Sequence, residues 1–240
     1  MQKWKYPLLG GAVALVLMFI VVASCRHSAP EPPAPAPELP VALEPVPQAP
    51  VPQTVEEVKP DNMLSDEQWA WLQSRGWEER VGAAPAVWVS VDEQVFRLIK
   101  DRGILWEVPC STAAKGTGSV SGSMQTPLGW HVVKRKTGAN APWGQVFRAG
   151  QATNEIWKPG QSTKEDLVLT RILFLDGLEP GQNKGGNVDS YDRKIYIHGT
   201  NGEAQIGVPN SHGCVRLRND DAIVAFDRIP QGTFVLITTR

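Results

Sequence analysis

Cysteine is scarce in this chain, with three in 240 residues, at positions 25, 110 and 214. That is too few for the disulfide framework of a small secreted scaffold, and a domain of this size buries a core without one. An excess of one charge is also missing. With 24 basic and 25 acidic residues the formal net charge is -1, so the electrostatic footprint that a phosphate backbone demands is absent and nucleic acid is not expected as a partner. The chain has no C-x-x-C or H-x-x-x-H pair and no internal repeat, and aromatic residues nearly vanish between Ser28 and Pro60.

What is present begins with Lys3 and Lys5, followed by the apolar run Pro7 to Ala23. Basic residues before an apolar run are the layout of an export segment. The run is shorter than the roughly 20 residues usual for a transmembrane helix. It ends in Val22-Ala23-Ser24-Cys25, which resembles the bacterial lipobox, where a cysteine is lipidated and becomes the mature N-terminus. Lipidation of Cys25, an uncleaved signal anchor and ordinary cleavage stay open, and each puts the folded part outside the inner membrane. Proline then recurs with interspersed glutamates up to Pro60, a composition that cannot bury enough apolar surface to fold. Polyproline-like chain gains about 3.1 Å per residue, so this tether spans tens of ångströms. The expected divisions are residues 1–25 for export and a possible anchor, 26–60 for the tether, 61–85 for a short helical lead-in and 86–240 for the folded domain.

Ser65 with Gln68 reads as a capping box opening a helix through Trp69, Trp71 and Leu72, stopped by Gly76. Aromatic residues at helical spacing are more often core than sugar-gripping platforms. Short β-rich runs follow from Ala86: Val87 to Val91, Val95 to Ile99 and Ile104 to Val108 form a meander. Further strands are expected at Gly129 to Lys134, Leu167 to Leu175, Lys194 to His198 and Thr233 to Thr238. Asn219 to Ile229 reads as the late helix, capped by Asn219, with Ile223, Val224 and Phe226 inward. The expectation is a mainly β domain, a sandwich or barrel-like body with one late helix. Gly-rich loops at Lys115 to Ser123 and Glu179 to Asn187 match no phosphate-cradling pattern; framing a substrate groove is their functional alternative.

The chemistry concentrates in Ile197-His198-Gly199-Thr200 and Ser211-His212-Gly213-Cys214-Val215-Arg216. Thiolate is the reactive form of cysteine, and an adjacent imidazole makes it available at neutral pH. A base oriented by a third group completes the logic of a triad. The rival readings are a Cys110–Cys214 disulfide, a zinc site completed by His131 or Cys110, and histidines that merely fill the core.

The stretch from about Ala86 to Thr239 resembles the L,D-transpeptidase (YkuD-like) catalytic domain family. Its pattern is a strand ending in His-Gly, an intervening loop, then Ser-His-Gly-Cys followed shortly by Arg or Asn, here His198-Gly199, Ser211-His212-Gly213-Cys214 and Arg216. A Thr-Pro-x-Gly element before a central strand is matched by Thr126-Pro127-Leu128-Gly129. The resemblance implies Cys214 as nucleophile and His198 as general base, with the Gly199 carbonyl orienting the imidazole. It also implies His212 and the backbone N–H groups of Gly213 and Cys214 around the oxyanion. Arg216, Ser211, Thr126 and Tyr196 are expected near substrate, although Arg216 as a surface or bracing residue and Tyr196 as core remain open. Neither a metal nor a cofactor is implied.

By the same resemblance the partners are peptidoglycan stem peptides. The acyl group would pass to a second stem or to an envelope lipoprotein, with the membrane engaged through the N-terminal anchor. An L,D-carboxypeptidase using the same residues is the alternative, and a catalytically idle wall-binding lipoprotein is a third. The chain departs from better-known members in lacking a recognisable LysM or other wall-binding module.

Overall fold

Ser65 and Gln68 close a capping box near the start of the described residues, which in this computed structural model run from 62 to 240. The Ser65 hydroxyl accepts the Gln68 N–H at 3.1 Å and the Gln68 side chain accepts the Ser65 N–H at 3.0 Å, opening helix α1, Asp66–Gln73. Gly76, at φ 74°, turns the chain into a second short helix that was not expected, α2, Trp77–Val81. Leu72, Trp77 and Val81 pack with Trp88, Trp130 and Leu236, and Trp69 and Trp71 lie against that cluster. These tryptophans are therefore core. The export segment, the proline-rich tether and Cys25 lie outside the described residues.

The meander appears as β1 (Ala86–Ser90), β2 (Val95–Lys100) and β3 (Gly103–Pro109). Further along come β4 (Gly129–Thr137), β5 (Gln145–Arg148), β6 (Gln151–Ile156), β7 (Val168–Gly177), β8 (Tyr196–Thr200), β9 (Val215–Leu217), α3 (Asn219–Arg228) and β10 (Phe234–Thr238). The sheet runs β3-β2-β1-β10-β4-β7, with the C-terminal strand inserted between β1 and β4: β10 pairs parallel with β1 and antiparallel with β4. Strand β7 is the branch point. Ile172 to Gly177 pair with β4, Val168 and Leu169 pair with β5, and β8 lies along the opposite edge. Strands β5, β6 and β9 escaped the sequence reading. In β6, Gln-Ala-Thr-Asn-Glu-Ile is almost wholly exposed, so it carries no apolar alternation, and β9 is only three residues long.

Alternation of side chains across the pleat divides the core. Val87, Val89, Leu173, Leu175, Ile197, Val235 and Ile237 face α3, whose Ala222, Ala225 and Phe226 complete that cluster. Trp88 and Leu236 face the other way, toward α1 and α2. The inward stripe of α3 thus corrects the expected one, because Ile223 and Val224 are only half-buried while the small Ala222 and Ala225 meet the sheet. Nor does Asn219 cap the helix: Arg218 occupies the cap position without a side-chain bond, and Asn219 is buried one residue inside.

His131, on β4, is fully buried, with Nδ1 3.0 Å from the Gly129 carbonyl and Nε2 3.0 Å from the Ser190 hydroxyl. Burial pushes its pKa down from 6.5 to about 4. Between those values the unfolded chain binds a proton that the folded chain refuses. Its contribution is therefore complete above pH 6.5 and is lost as pH falls toward 4, a difference on the order of 3 kcal/mol. Urea unfolding of the wild type is expected to show that loss, and His131→Gln is expected to reduce it, the remainder coming from His198, which burial shifts over the same range. An unchanged slope in the variant would assign the pH dependence elsewhere.

Candidate active site

Strand β8 carries His198 between β7 and β9, and its parallel register with β9 sets Ile197 beside Val215 and His198 beside Arg216. Cys214 immediately precedes that paired stretch, so the two motifs meet at adjacent strands. The Tyr196 N–H donates to Cys214 Sγ at 3.4 Å, and the thiol donates to the Lys194 carbonyl at 3.4 Å. Cys214 is half-buried and packs against the buried cluster of Phe147, Ile172, Phe174 and Tyr196. Tyr196 is itself 6% exposed and packs edge-on to Phe174 at 4.5 Å, which makes its ring part of the core.

The turn that presents Cys214 is held from both sides. The Ser211 hydroxyl donates to the Cys214 carbonyl at 2.6 Å and accepts the Gly213 N–H at 3.1 Å. The Thr126 hydroxyl donates to the Gly213 carbonyl at 3.0 Å and accepts the Ala113 N–H at 2.9 Å. Ser211 and Thr126, expected near substrate, are buried, with their hydroxyls engaged in bracing this loop. Gly213 has φ 127°, and a Cβ there would meet the Gln125 carbonyl oxygen at 3.2 Å, so both conformation and space require glycine. Its N–H, expected to face an oxyanion, is already bonded to Ser211.

His198 is 2% exposed and its Nδ1 lies 2.7 Å from the Gly199 carbonyl oxygen. A carbonyl only accepts, so Nδ1 carries the proton and Nε2 is left as the bare lone pair. Burial lowers the imidazole pKa and raises that of the Cys214 thiol. Both shifts disfavour the charged forms. A Cβ on Gly199 would come within 2.3 Å of Asn219 Oδ1. That oxygen accepts the Thr170 hydroxyl at 2.6 Å, while the Asn219 amide donates to the Thr200 carbonyl at 2.8 Å and to Glu203 at 2.8 Å. Thr170 sits at φ 68° in the β7 irregularity opposite β8, an uncommon conformation for a β-branched residue.

His212 is exposed, with Nδ1 donating to Asp166 Oδ2 at 2.7 Å. The same oxygen accepts from Arg216 NH2. Arg216 is 5% exposed, so its guanidinium is a buried brace paired to Asp166, the bracing alternative of the sequence reading. Asp166, Asn219 and Arg193 were missed. Asp166 precedes β7 with no motif around it, and Asn219 read as a helix cap. Arg193 donates to the carbonyls of Gln125 at 2.7 Å and Gly118 at 3.3 Å, securing the Gly-rich loop.

Cys110 is fully buried and free, its thiol pushed up to about 12 by burial, and it forms no disulfide with Cys214. Both ring nitrogens of His131 are engaged, at Gly129 and Ser190. A separate cavity of about 310 Å³ is lined by Trp71, Arg75, Arg80, Trp130, Glu179 and Gln182 among others; Leu128 and Gly129 of the Thr-Pro-x-Gly element reach it, but no residue of the His-Gly or Ser-His-Gly-Cys motifs does.

The L,D-transpeptidase catalytic domain (YkuD) model matches residues 84–237. The chain belongs to that family. It is 34% identical over 116 residues to a protein named probable L,D-transpeptidase ErfK/SrfK from Salmonella typhimurium, covering 48% of this chain and 37% of that one. To a putative L,D-transpeptidase, YqjB, from Bacillus subtilis it is 47% identical over 95 residues, covering 36% of this chain and 54% of that one. The matched part therefore spans between about a third and a half of these relatives' length. Among solved structures, an L,D-transpeptidase from Mycobacterium smegmatis aligns with 16% identity and a TM-score of 0.39, covering 65% of this chain and 59% of that one.

The Gly199–Asn219 contact makes a family-independent prediction. Asn219→Ala removes the acceptor of the buried Thr170 hydroxyl proton, leaving that oxygen only the Gly144 N–H it accepts at 3.1 Å, and removes the side-chain donor to the Thr200 carbonyl; it is expected to cost about 2 to 4 kcal/mol in denaturant unfolding. Gly199→Ala alone collides with Asn219. The two changes together are expected to fall short of their sum by about 1 kcal/mol or more, and strict additivity would mean that the contact does not constrain Gly199.

Proposed function

We propose that this chain is a peptidoglycan L,D-transpeptidase in which Cys214 is the nucleophile and His198 the general base. The observation that carries the reading is the meeting of the two motifs on adjacent strands: a thiol at the edge of β9 and a buried imidazole on β8 whose Nδ1 is tied to Gly199, leaving Nε2 to take a proton. An imidazole held in this way accepts the thiol proton as the nucleophile attacks.

In the first half-reaction Cys214 Sγ attacks the carbonyl carbon of the third stem residue at its L-centre while its proton passes to His198 Nε2. The peptide C–N bond to the terminal D-alanine breaks, the amine leaves with the proton from His198, and a thioester remains. In the second, an amine attacks the thioester, gives a proton to His198, and the C–S bond breaks with the proton returning to sulfur. The Cys214 N–H is the oxyanion donor left after Ser211 takes that of Gly213. A second stem as acceptor gives a 3-3 cross-link and a lysine of an envelope lipoprotein gives a wall anchor. Water gives a carboxypeptidase. The apolar cluster of Phe147, Phe174 and Tyr196 on which Cys214 packs supports amine transfer, because an apolar wall beside the thioester limits access of water. Placement at the envelope, anchored through lipidated Cys25 or an uncleaved signal, belongs to the same proposal.

Incubation of the protein with tetrapeptide muropeptides is expected to yield 3-3 dimers by mass spectrometry, lost by at least about 10³-fold in Cys214→Ala. Tripeptide monomers alone would make the chain an L,D-carboxypeptidase, and identical products from the variant would remove Cys214 from the mechanism.

A further inference from the structure

We propose that Asp166 is a positioning residue for the Cys214 chemistry: its carboxylate, pinned at the end of β8 by Asn201, fixes the His212 ring and balances the buried Arg216 guanidinium. This deepens the transpeptidase reading and rests on its assignment of Cys214. A single oxygen, Oδ2, accepts from His212 Nδ1 at 2.7 Å and from Arg216 NH2. Its placement is not that of a free loop side chain. Asn201 Oδ1 accepts the Leu167 N–H at 3.0 Å and the Asn201 amide donates to the Glu165 carbonyl at 2.9 Å, so the residues on either side of Asp166 are both held.

The competing view is an ordinary exposed ion pair, which contributes little. Burial argues against it, since the Arg216 side chain is 6% exposed and that of Asp166 26%. Arg216 Nε is moreover buried without any hydrogen-bond partner. An incompletely satisfied buried cation depends on its counter-charge far more than a surface one does. Arg216 is also anchored at its root, its main-chain N–H and carbonyl both bonded to Ser111 at 2.8 and 2.9 Å, in register with His198. The cation stays where it is and the carboxylate must come to it.

The consequence for the site is a balance of charge. Facing Cys214 are Tyr196 and His198 from β8, Arg193 from the turn before it, Arg216 from β9 and Asp166 from the segment before β7. Arg216 and Arg193 favour the thiolate, whereas Asp166 opposes it. On the other side, accepting from Nδ1 makes Asp166 hold His212 in the tautomer whose Nε2 lone pair points away from the carboxylate. His212, two residues from Cys214 in the chain and exposed, is thereby held in one ring orientation.

The test uses the full chain as wild type, Asp166→Asn, Asp166→Glu and Arg216→Gln. Iodoacetamide alkylation of the peptide carrying Cys214 is followed by mass spectrometry as a function of pH, with thermal melting alongside. Asp166→Asn leaves Arg216 and Arg193 uncompensated, so its alkylation midpoint is expected at lower pH than the wild type. Arg216→Gln is expected to move it higher and Asp166→Glu to restore it. Transfer by Asp166→Asn is expected to fall about tenfold in kcat with KM nearly unchanged. A wild-type midpoint in a folded Asp166→Asn protein would overturn the proposal, leaving an ion pair without influence on the thiol. Should that variant melt too low to assay, Arg216→Gln decides: an upward shift supports the balance and an unmoved midpoint overturns it. Because iodoacetamide needs no wall fragment, a shift in a protein that transfers nothing would overturn the transpeptidase reading alone.

Discussion

The bond between His198 Nδ1 and the carbonyl of its own neighbour, Gly199, constrains everything around it. An imidazole that gives its Nδ1 proton to a carbonyl has one free nitrogen and one orientation, and the orientation is only as well defined as the peptide that supplies the oxygen. That peptide is shaped by Asn219, whose side-chain oxygen occupies the space a Cβ at Gly199 would need. Asn219 in turn is locked by Thr170, Thr200 and Glu203. The left-handed conformation of Thr170 costs on the order of 1 to 3 kcal/mol, and the hydroxyl it brings to Asn219 is what that cost secures. The branching of β7 follows from the same irregularity, since Leu169 and Ile172 flank the shift in register with β8.

A second set of clamps makes the turn that presents Cys214 equally rigid. Ser211 bridges both ends of Ser-His-Gly-Cys, Thr126 holds its middle, and Gly213 adopts a φ that other residues resist. Thr126 also ties this turn to the strand that begins at Gly129, so the Thr-Pro-x-Gly element acts as a brace between the sheet and the cysteine. Positioning of this kind matters because a displacement of about 1 Å costs on the order of a hundredfold in rate.

How much of this was legible in the sequence depends on where each interaction is written. The β meander, the capping box at Ser65 and the His-Gly and Ser-His-Gly-Cys motifs are local, encoded by alternation, by a three-residue spacing and by contiguous residues, and all stand where the chain suggested. Asn219 was read correctly as a helix start and wrongly as its cap, because propensity sees the helix and not the strand against which the amide is buried. Ser211 and Thr126 were expected at substrate for a similar reason. A hydroxyl next to a cysteine in a motif serves the loop or a ligand equally well until its partners are known. Asp166 was invisible, since a carboxylate in a polar loop gains meaning only when a register of distant strands brings it to Arg216, 50 residues along the chain.

Burial of the proposed nucleophile and base has opposing effects that the reaction reconciles. Desolvation disfavours both thiolate and imidazolium, so the resting enzyme holds few reactive ions, and a thiol without a pre-formed charge is slow toward stray electrophiles and oxidants. The same desolvation strengthens every electrostatic contact once charge begins to move. A substrate that fills the remaining opening over Cys214 removes the last competing water and brings the carbonyl toward which the proton transfer is coupled. Under the proposed reaction, reactivity is thus contingent on occupancy: the aromatic packing that suppresses the free thiol also shields the thioester. The choice between an amine and water as acceptor then turns on how long that shield stays closed, a property of the Phe147, Phe174 and Tyr196 cluster and of the Asp166 segment rather than of the nucleophile itself.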